Sequence, residues 1–461
     1  MSPYVALLSL LVVAQVAIGL WIGRRVRSAS DFFVAGRGLP PFLVFATFLA
    51  ANIGAGSTVN AASLGYRYGL SAWWWNGAAG IGSIVLGLWL GPRIWTIARE
   101  RGFLTLGDFL ETRYSPGVRT AASALIWVST LFILAAQLIG ASWILNVVAG
   151  LPRAAGALVG GAVMVTYFVA GGLLGSAWVN LVQLAVLLAG FALAVPLALG
   201  TVEGWQGLGA APGLDPSFLQ IMGTDDTWLT WLILLAPAFV VSPGLVQKAY
   251  GARSPGAVRI GVTANGLALL TFAFAPALLG MVARAHHPSL ASPDLALPTV
   301  MVEQLPTLVG ALALSAVFAA EVSSADAILF MLATSFGQDL YRRLLKPAAS
   351  ERQVLAAARW AAVAGGAGGI LLALVVPTIV EALRVFYGVL TVALFVPVAV
   401  GVASQGPRAG SAVAGMTAGL AAMLLAYALG GSGGVWGLAP STCGLAASAL
   451  GFAAATLAPR R

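Results

Sequence analysis

Phe318-Ala319-Ala320-Glu321-Val322-Ser323-Ser324-Ala325-Asp326-Ala327 lies inside an apolar run, 307–335, that is long enough to cross a bilayer. Two carboxylates and two adjacent hydroxyls at membrane depth are costly to bury, and such groups mark ion or substrate pathways. At about 100° per residue, Ala320, Ser323 and Ser324 share one helix face within roughly 100° of arc. Glu321 and Asp326 flank that face, each roughly 60° beyond a serine. The helix carries a stripe of hard oxygens bordered by acids, which suits a small cation better than a packed core.

The rest of the chain has the same solvent. Its 461 residues are 60% hydrophobic and 8% charged, with mean hydropathy +0.94; an ordinary globular chain carries about 25% charge. The runs are long and continuous, so the fold class is an all-α polytopic membrane protein rather than a barrel of short alternating strands. The net charge of +9 sits between the spans and does not point to nucleic acid. The one cysteine, Cys443, excludes an intramolecular disulfide. The first apolar run has an uncharged start with basic residues after it, so it reads as a span and not a cleaved leader.

Thirteen spans are expected, near 4–23, 41–65, 70–92, 119–149, 154–173, 177–200, 227–247, 258–283, 307–335, 354–377, 381–403, 410–430 and 439–458. With the N-terminus outside and the C-terminus cytoplasmic, segments 24–40, 93–119, 248–259, 338–359, 404–409 and the C-terminal tail hold 20 of the 24 Arg and Lys residues. The reverse orientation inverts that ratio and breaks the positive-inside rule. Segment 97–118 reads as a short amphipathic interfacial helix. No nucleotide-binding motif offers ATP as an engine, and no HExxH or intramembrane histidine offers enzymatic chemistry, so the chain reads as a non-enzyme.

Two spans look interrupted. Ala50-Ala51-Asn52-Ile53-Gly54-Ala55-Gly56-Ser57-Thr58 puts two glycines and an amide in mid-membrane, and span 227–247 carries Pro237 and Pro243-Gly244. Unwound backbone survives in lipid only where it lines a cavity or binds something; a close contact of small residues is the alternative for the first, and a simple kink for the second. Counted from the second span, the interruptions open the first and sixth helices. That placement fits two five-helix halves related by inverted symmetry, with the binding site between them.

Asp31-Phe32-Phe33-Val34-Ala35-Gly36-Arg37, Ala50-Ala51-Asn52-Ile53 and Gly65-Tyr66-Arg67-Tyr68-Gly69-Leu70 resemble the opening of the sodium:solute symporters. Ser323-Ser324-Ala325-Asp326 and Gln338-Asp339-Leu340-Tyr341-Arg342-Arg343 resemble that family's later signature, and the likeness runs from about 1 to 405. The resemblance implies a leucine-transporter-like core of ten helices in a 5+5 inverted repeat over 41–403, preceded by an extra helix (4–23) and followed by two peripheral ones (410–458), all in a single domain. It implies Na+ as coupling ion, without an organic cofactor, and a small organic solute (amino acid, carboxylate or similar) carried inward by alternating access. Partners are then the solute and the bilayer, with no nucleic acid, and the chain is a monomer in a bacterial inner membrane.

By the same resemblance, the carbonyls of Ala50, Ile53 and Ala320 and the hydroxyls of Ser323 and Ser324 ligate sodium. Relatives carry an Asp on the fifth core helix where this chain has Asn180. That departure leaves Glu321 and Asp326 to compensate, or makes the proton the coupling ion. A membrane sensor that binds solute without moving it is a further alternative. Ser57, Asn76, Phe239 and Ser242 are expected around the solute, with Phe386 and Tyr387 as an outer gate. The small or neutral Ser57 and Asn76 argue against a sugar. Trp73-Trp74-Trp75 fits an interfacial aromatic belt better than a cavity wall.

Overall fold

Backbone groups inside a bilayer have to be paired within their own segment, and the computed structural model satisfies this with helices throughout, 85% of it. It describes residues 3–23, 37–211, 214, 216–223, 227–404 and 406–458; the side chains of 15–16, 18–23 and 167–182 lie outside that description. Asp31–Gly36, Asp215, Asp225, Asp226 and the side chain of Asn180 therefore fall outside it. No strand occurs among the described residues.

In chain order the helices are α1 (Pro3–Gly23), α2 (Pro41–Asn52), α3 (Val59–Tyr68), α4 (Trp73–Val85), α5 (Gly91–Arg101), α6 (Leu106–Arg113), α7 (Pro116–Ala149), α8 (Arg153–Gly200), α9 (Gly204–Ala210) and α10 (Thr227–Val241). Then come α11 (Pro243–Tyr250), α12 (Pro255–Phe272), α13 (Phe274–His286), α14 (Ala296–Glu303), α15 (Thr307–Thr334), α16 (Glu351–Val375), α17 (Ile379–Val389), α18 (Phe395–Ala403), α19 (Ala409–Gly430) and α20 (Pro440–Leu457). Among the described residues ten helical stretches are long and apolar enough to cross a membrane, and Pro3–Ala14, Pro41–Asn52 and Arg153–Thr166 are shorter apolar helices.

Both interruptions are present. α2 stops at Asn52, and residues 53–58 turn before α3 resumes. α10 stops at Val241; Pro243 opens α11, and Ser242 before it is forced out of the helical region (φ −51°, ψ 120°). Pro237 does not end α10; the Thr391 hydroxyl donates to the Leu234 carbonyl at 2.6 Å in the turn it loosens.

Three expectations need correction. The runs at 154–173 and 177–200 are one continuous helix, α8, because their junction holds glycines but neither proline nor charge. Lys248 and Arg119, assigned to loops, are buried on α11 and α7. Segment 97–118 does form a helix, α6, capped by a Thr105/Asp108 box. Its Phe103, Leu106, Phe109 and Leu110 are buried in protein, though, and not laid on the interface.

α3 and α13 meet through small residues. A side chain at Gly65 would fall on the Ala277 carbonyl, and one at Gly280 on the Ala62 carbonyl, so the backbones approach as closely as small-residue contacts allow. Gly280→Val therefore costs about 1–3 kcal/mol through overpacking, read as a lowered Tm in detergent; Gly410, where an added Cβ meets nothing within 4 Å, supplies the silent control Gly410→Ala.

Candidate cation and solute site

Where α2 breaks, carbonyls lose their helical partners. The Ser324 hydroxyl on α15 reaches two of them, Ala50 O at 3.1 Å and Ile53 O at 3.0 Å. A serine has one proton to give, so one carbonyl always keeps lone pairs for another partner. A cavity of about 10 Å³ opens beside them, lined by Ala50, Ile53, Gln183, Leu184, Leu187, Ala320 and Ser323. That is room for one water or one small ion. Four of the five residues expected to ligate sodium line this cavity, and the fifth, Ser324, is bonded to the carbonyls of two of them.

The break is held by its own bonds. Ser57 N and Thr58 N donate to Gly54 O, each at 3.0 Å, and the Thr58 hydroxyl joins them at 2.8 Å. The Ser57 hydroxyl donates to Asn52 O. Gln137 of α7 accepts the Ala55 N–H at 2.8 Å. Gly54 is required here: a Cβ would lie 2.6 Å from Ser324 Oγ and 2.7 Å from Gln137 Oε1.

The two acids stand apart from the five ligands. Glu321 is wholly buried, with neither carboxylate oxygen hydrogen-bonded among the described residues. A Cβ on Gly140 of α7 would be 2.7 Å from its Oε1 and equally near the Ala55 methyl. Unpartnered and out of water, such a carboxylate calls for a proton or a cation. Asp326 is within electrostatic reach of the buried Lys248, whose Nζ donates to Thr47 O of α2 at 3.1 Å.

The residues expected around the solute, Ser242 excepted, fall into a polar pair and an aromatic layer. Asn76 Nδ2 donates to the Ser57 carbonyl at 2.9 Å. Its neighbour Trp75 is buried, packing edge-on to Trp231 at 5.0 Å and to Tyr387 at 6.1 Å. Tyr387 stacks on Phe239 at 5.4 Å and meets Phe386 at 5.1 Å. Trp75 is therefore part of this wall and not of an interfacial belt. Ser242 lies at the α10–α11 break, its carbonyl accepting from Val246 N.

Gln137, Gln183, Lys248 and Trp231 were missed from the sequence. Three are polar groups in apolar runs, the same signal that singled out the serines. Gln183 lines the cavity with neither amide atom bonded among the described residues.

The sequence profile of the sodium:solute symporter family matches residues 32–419. The chain belongs to that family. It is 27% identical over 387 residues to the sodium/glucose cotransporter of Vibrio parahaemolyticus, covering 76% of this chain and 70% of that one. Against the sodium/pantothenate symporter of Escherichia coli (strain K12) it is 26% identical over 336 residues, covering 68% and 66%. Against the sodium/iodide cotransporter of Homo sapiens it is 24% identical over 370 residues, covering 75% and 57%. The chain thus spans 57% to 70% of the length of these relatives. Its structure is similar to that of a Na+-coupled sialic acid symporter in a substrate-bound outward-open state, at TM-score 0.82 and 20% identity, covering 99% and 98% of the two chains. A nucleobase-cation-symport-1 family transporter follows at TM-score 0.60 and 16% identity, covering 93% and 95%. The fold is that of the leucine-transporter-like symporters.

Gln137→Leu leaves the Ala55 N–H unpaired, at a cost of about 1–3 kcal/mol. Hydrogen exchange of residues 53–58 then speeds by about tenfold or more, while exchange in α19 stays unchanged.

Proposed function

We propose that this protein is a sodium-coupled symporter that brings a small organic solute into the cell by alternating access. The observation that supports it most is the Ser324 hydroxyl between the Ala50 and Ile53 carbonyls, with Ala320 and Ser323 bordering the same cavity. A sodium ion there takes carbonyl lone pairs that the hydroxyl proton otherwise occupies, and the hydroxyl turns its own lone pair to the ion. Ligation then tightens α2 against α15, which couples ion binding to helix position. The five ligands carry no formal charge. Glu321, one residue beyond Ala320, supplies the nearby negative charge. Asp326 is balanced by Lys248, and Asn180 stands on the ion's inward path as a neutral amide.

The solute lies against the aromatic layer of Trp75, Phe239, Phe386 and Tyr387, with Ser57 and Asn76 offering hydrogen bonds and Ser242, at the α10–α11 break, a further polar candidate outside that layer. None of these seven carries a charge. Relatives are named for glucose, pantothenate, iodide and choline; the site favours an amino acid, a carboxylate or a similar solute with an apolar face. In this reading residues 1–461 form one transporter domain, monomeric in a bacterial inner membrane, with the N-terminus outside. Of the 20 basic residues on the cytoplasmic side, Arg119 and Lys248 are buried, and the other 18 still outnumber the 4 elsewhere.

Uptake into proteoliposomes of amino acids, monocarboxylates, pantothenate-like acids and sugars, with and without a sodium gradient, tests the reading. Sodium-dependent uptake of one class is expected, and Ser323→Ala with Ser324→Ala abolishes the dependence. Glu321→Gln raises the sodium concentration for half-maximal uptake. Uptake driven by a pH gradient, indifferent to sodium and lost in Glu321→Gln, instead assigns the proton as coupling ion.

A further inference from the structure

Asp294 sits in the connection between α13 and α14, yet it is only 1% exposed. Its Oδ2 accepts the N–H of Ile379, the first residue of α17, at 3.3 Å. Ser63 of α3 is near enough to favour its ionised form. A carboxylate at a helix N-terminus meets the positive end of the helix dipole, which favours this seat. The connection that carries Asp294 is bonded to α3 through Tyr66, whose hydroxyl donates to His287 O at 2.8 Å and accepts from Leu290 N at 3.0 Å.

α17 is the helix that covers the break. Leu383 lies 3.0 Å from where a Cβ on Gly56 would be, and Phe386 and Tyr387 lie in the aromatic layer one turn further along. Whatever fixes the first turn of α17 against α3 fixes the cover of the solute site.

We propose that Asp294 is a latch on the outer mouth of the solute path, a positioning residue that holds α17 over the broken helix by tying its first turn to the 288–295 connection, which Tyr66 in turn fastens to α3. The word outer rests on the orientation and the symporter reading given above; the bonds do not.

The latch has a pH signature. The charged groups facing Asp294 are Arg67 of α3 and Arg153 at the start of α8, the latter bonded to the Ala373 and Val376 carbonyls. Glu381 of α17 is exposed, and His287 Nε2 lies 3.0 Å from Glu303 Oε2. α7 brings no titratable side chain to this end, its Arg119 lying among Asp108, Glu111 and Asp339. Burial pushes the Asp294 carboxyl up from its ordinary value, against the smaller opposing pull of Ser63, the Ile379 N–H, Arg67 and Arg153. The latched form therefore holds a proton more tightly than the released, hydrated form. Acid favours latching, and release grows as pH rises from the ordinary aspartate value through the raised one.

The test is a distance. Spin labels at Ala291→Cys and Val385→Cys, in a Cys443→Ser background, are measured in nanodiscs by double electron–electron resonance at pH 5 and pH 8, without solute or sodium. The long-distance population is expected to be larger at pH 8 than at pH 5 and smallest below the ordinary aspartate value, where a third sample at pH 3.5 is read. Asp294→Ala raises it several-fold at pH 5, as expected for losing a hydrogen bond and its buried acceptor, and by less at pH 8, where the wild type is already partly released. Asp294→Asn keeps the acceptor and the fold, holds the short distance, and removes the pH dependence. A wild-type distribution in Asp294→Ala overturns the latch, and so does a pH shift that persists in Asp294→Asn. Absence of sodium-dependent uptake by the unlabelled protein overturns the symporter reading and leaves these distances to be judged alone.

Discussion

One hydroxyl and two carbonyls organise this molecule. Ser324 donates to backbone oxygens that an intact α2 would have paired within itself. A broken helix in a bilayer is tolerated only where its freed groups find partners. Here those partners come from α15 and α7, and the break in turn dictates glycine at 54 and 140, where any side chain would strike Ser324, Gln137, Ala55 or Glu321. The packing of α2 and α3 on α7 and α15 and the pocket for an ion therefore have one origin.

The same constraint explains the polar residues around the break. Hydrogen bonds to backbone are the least costly way to keep 53–58 in a defined turn, and Thr58, Ser57, Gln137 and Asn76 all supply or accept them. Glu321 does not fit this pattern. It sits one residue from a ligand and yet bonds to nothing among the described residues, so its place is better explained by charge than by structure. Lys248 plays the opposite part, a buried amine within electrostatic reach of Asp326 that fastens α11 to the Thr47 carbonyl of α2.

Much of this was legible in the sequence because burying polarity in lipid is expensive enough to leave a mark. The serine pair, the two acids and the glycine-rich break all stood out against apolar runs, and the structure sets four of the five proposed ligands around one cavity with Ser324 bonded to two of them. What was missed follows from the same logic applied too narrowly. Gln137 and Gln183 are single amides in long apolar helices and resemble ordinary packing until their neighbours are known. Lys248 lies at a span's end, where a basic residue normally snorkels to water. The continuity of α8 and the burial of Trp75 depend on packing between helices, which no local pattern reports. The two tryptophans of the aromatic layer, Trp75 and Trp231, become partners only when α4 and α10 meet.

The central claim is that the oxygens at the α2 break and on α15 form a cation site. A structure determined in sodium, at a resolution that orders water, tests it most directly. The account predicts a single ion in contact with the Ala50, Ile53 and Ala320 carbonyls and the Ser323 and Ser324 hydroxyls, replaced by the Ser324 bonds when sodium is removed. An ion bound instead at Glu321 alone, or no ion between α2 and α15 at saturating sodium, would contradict it.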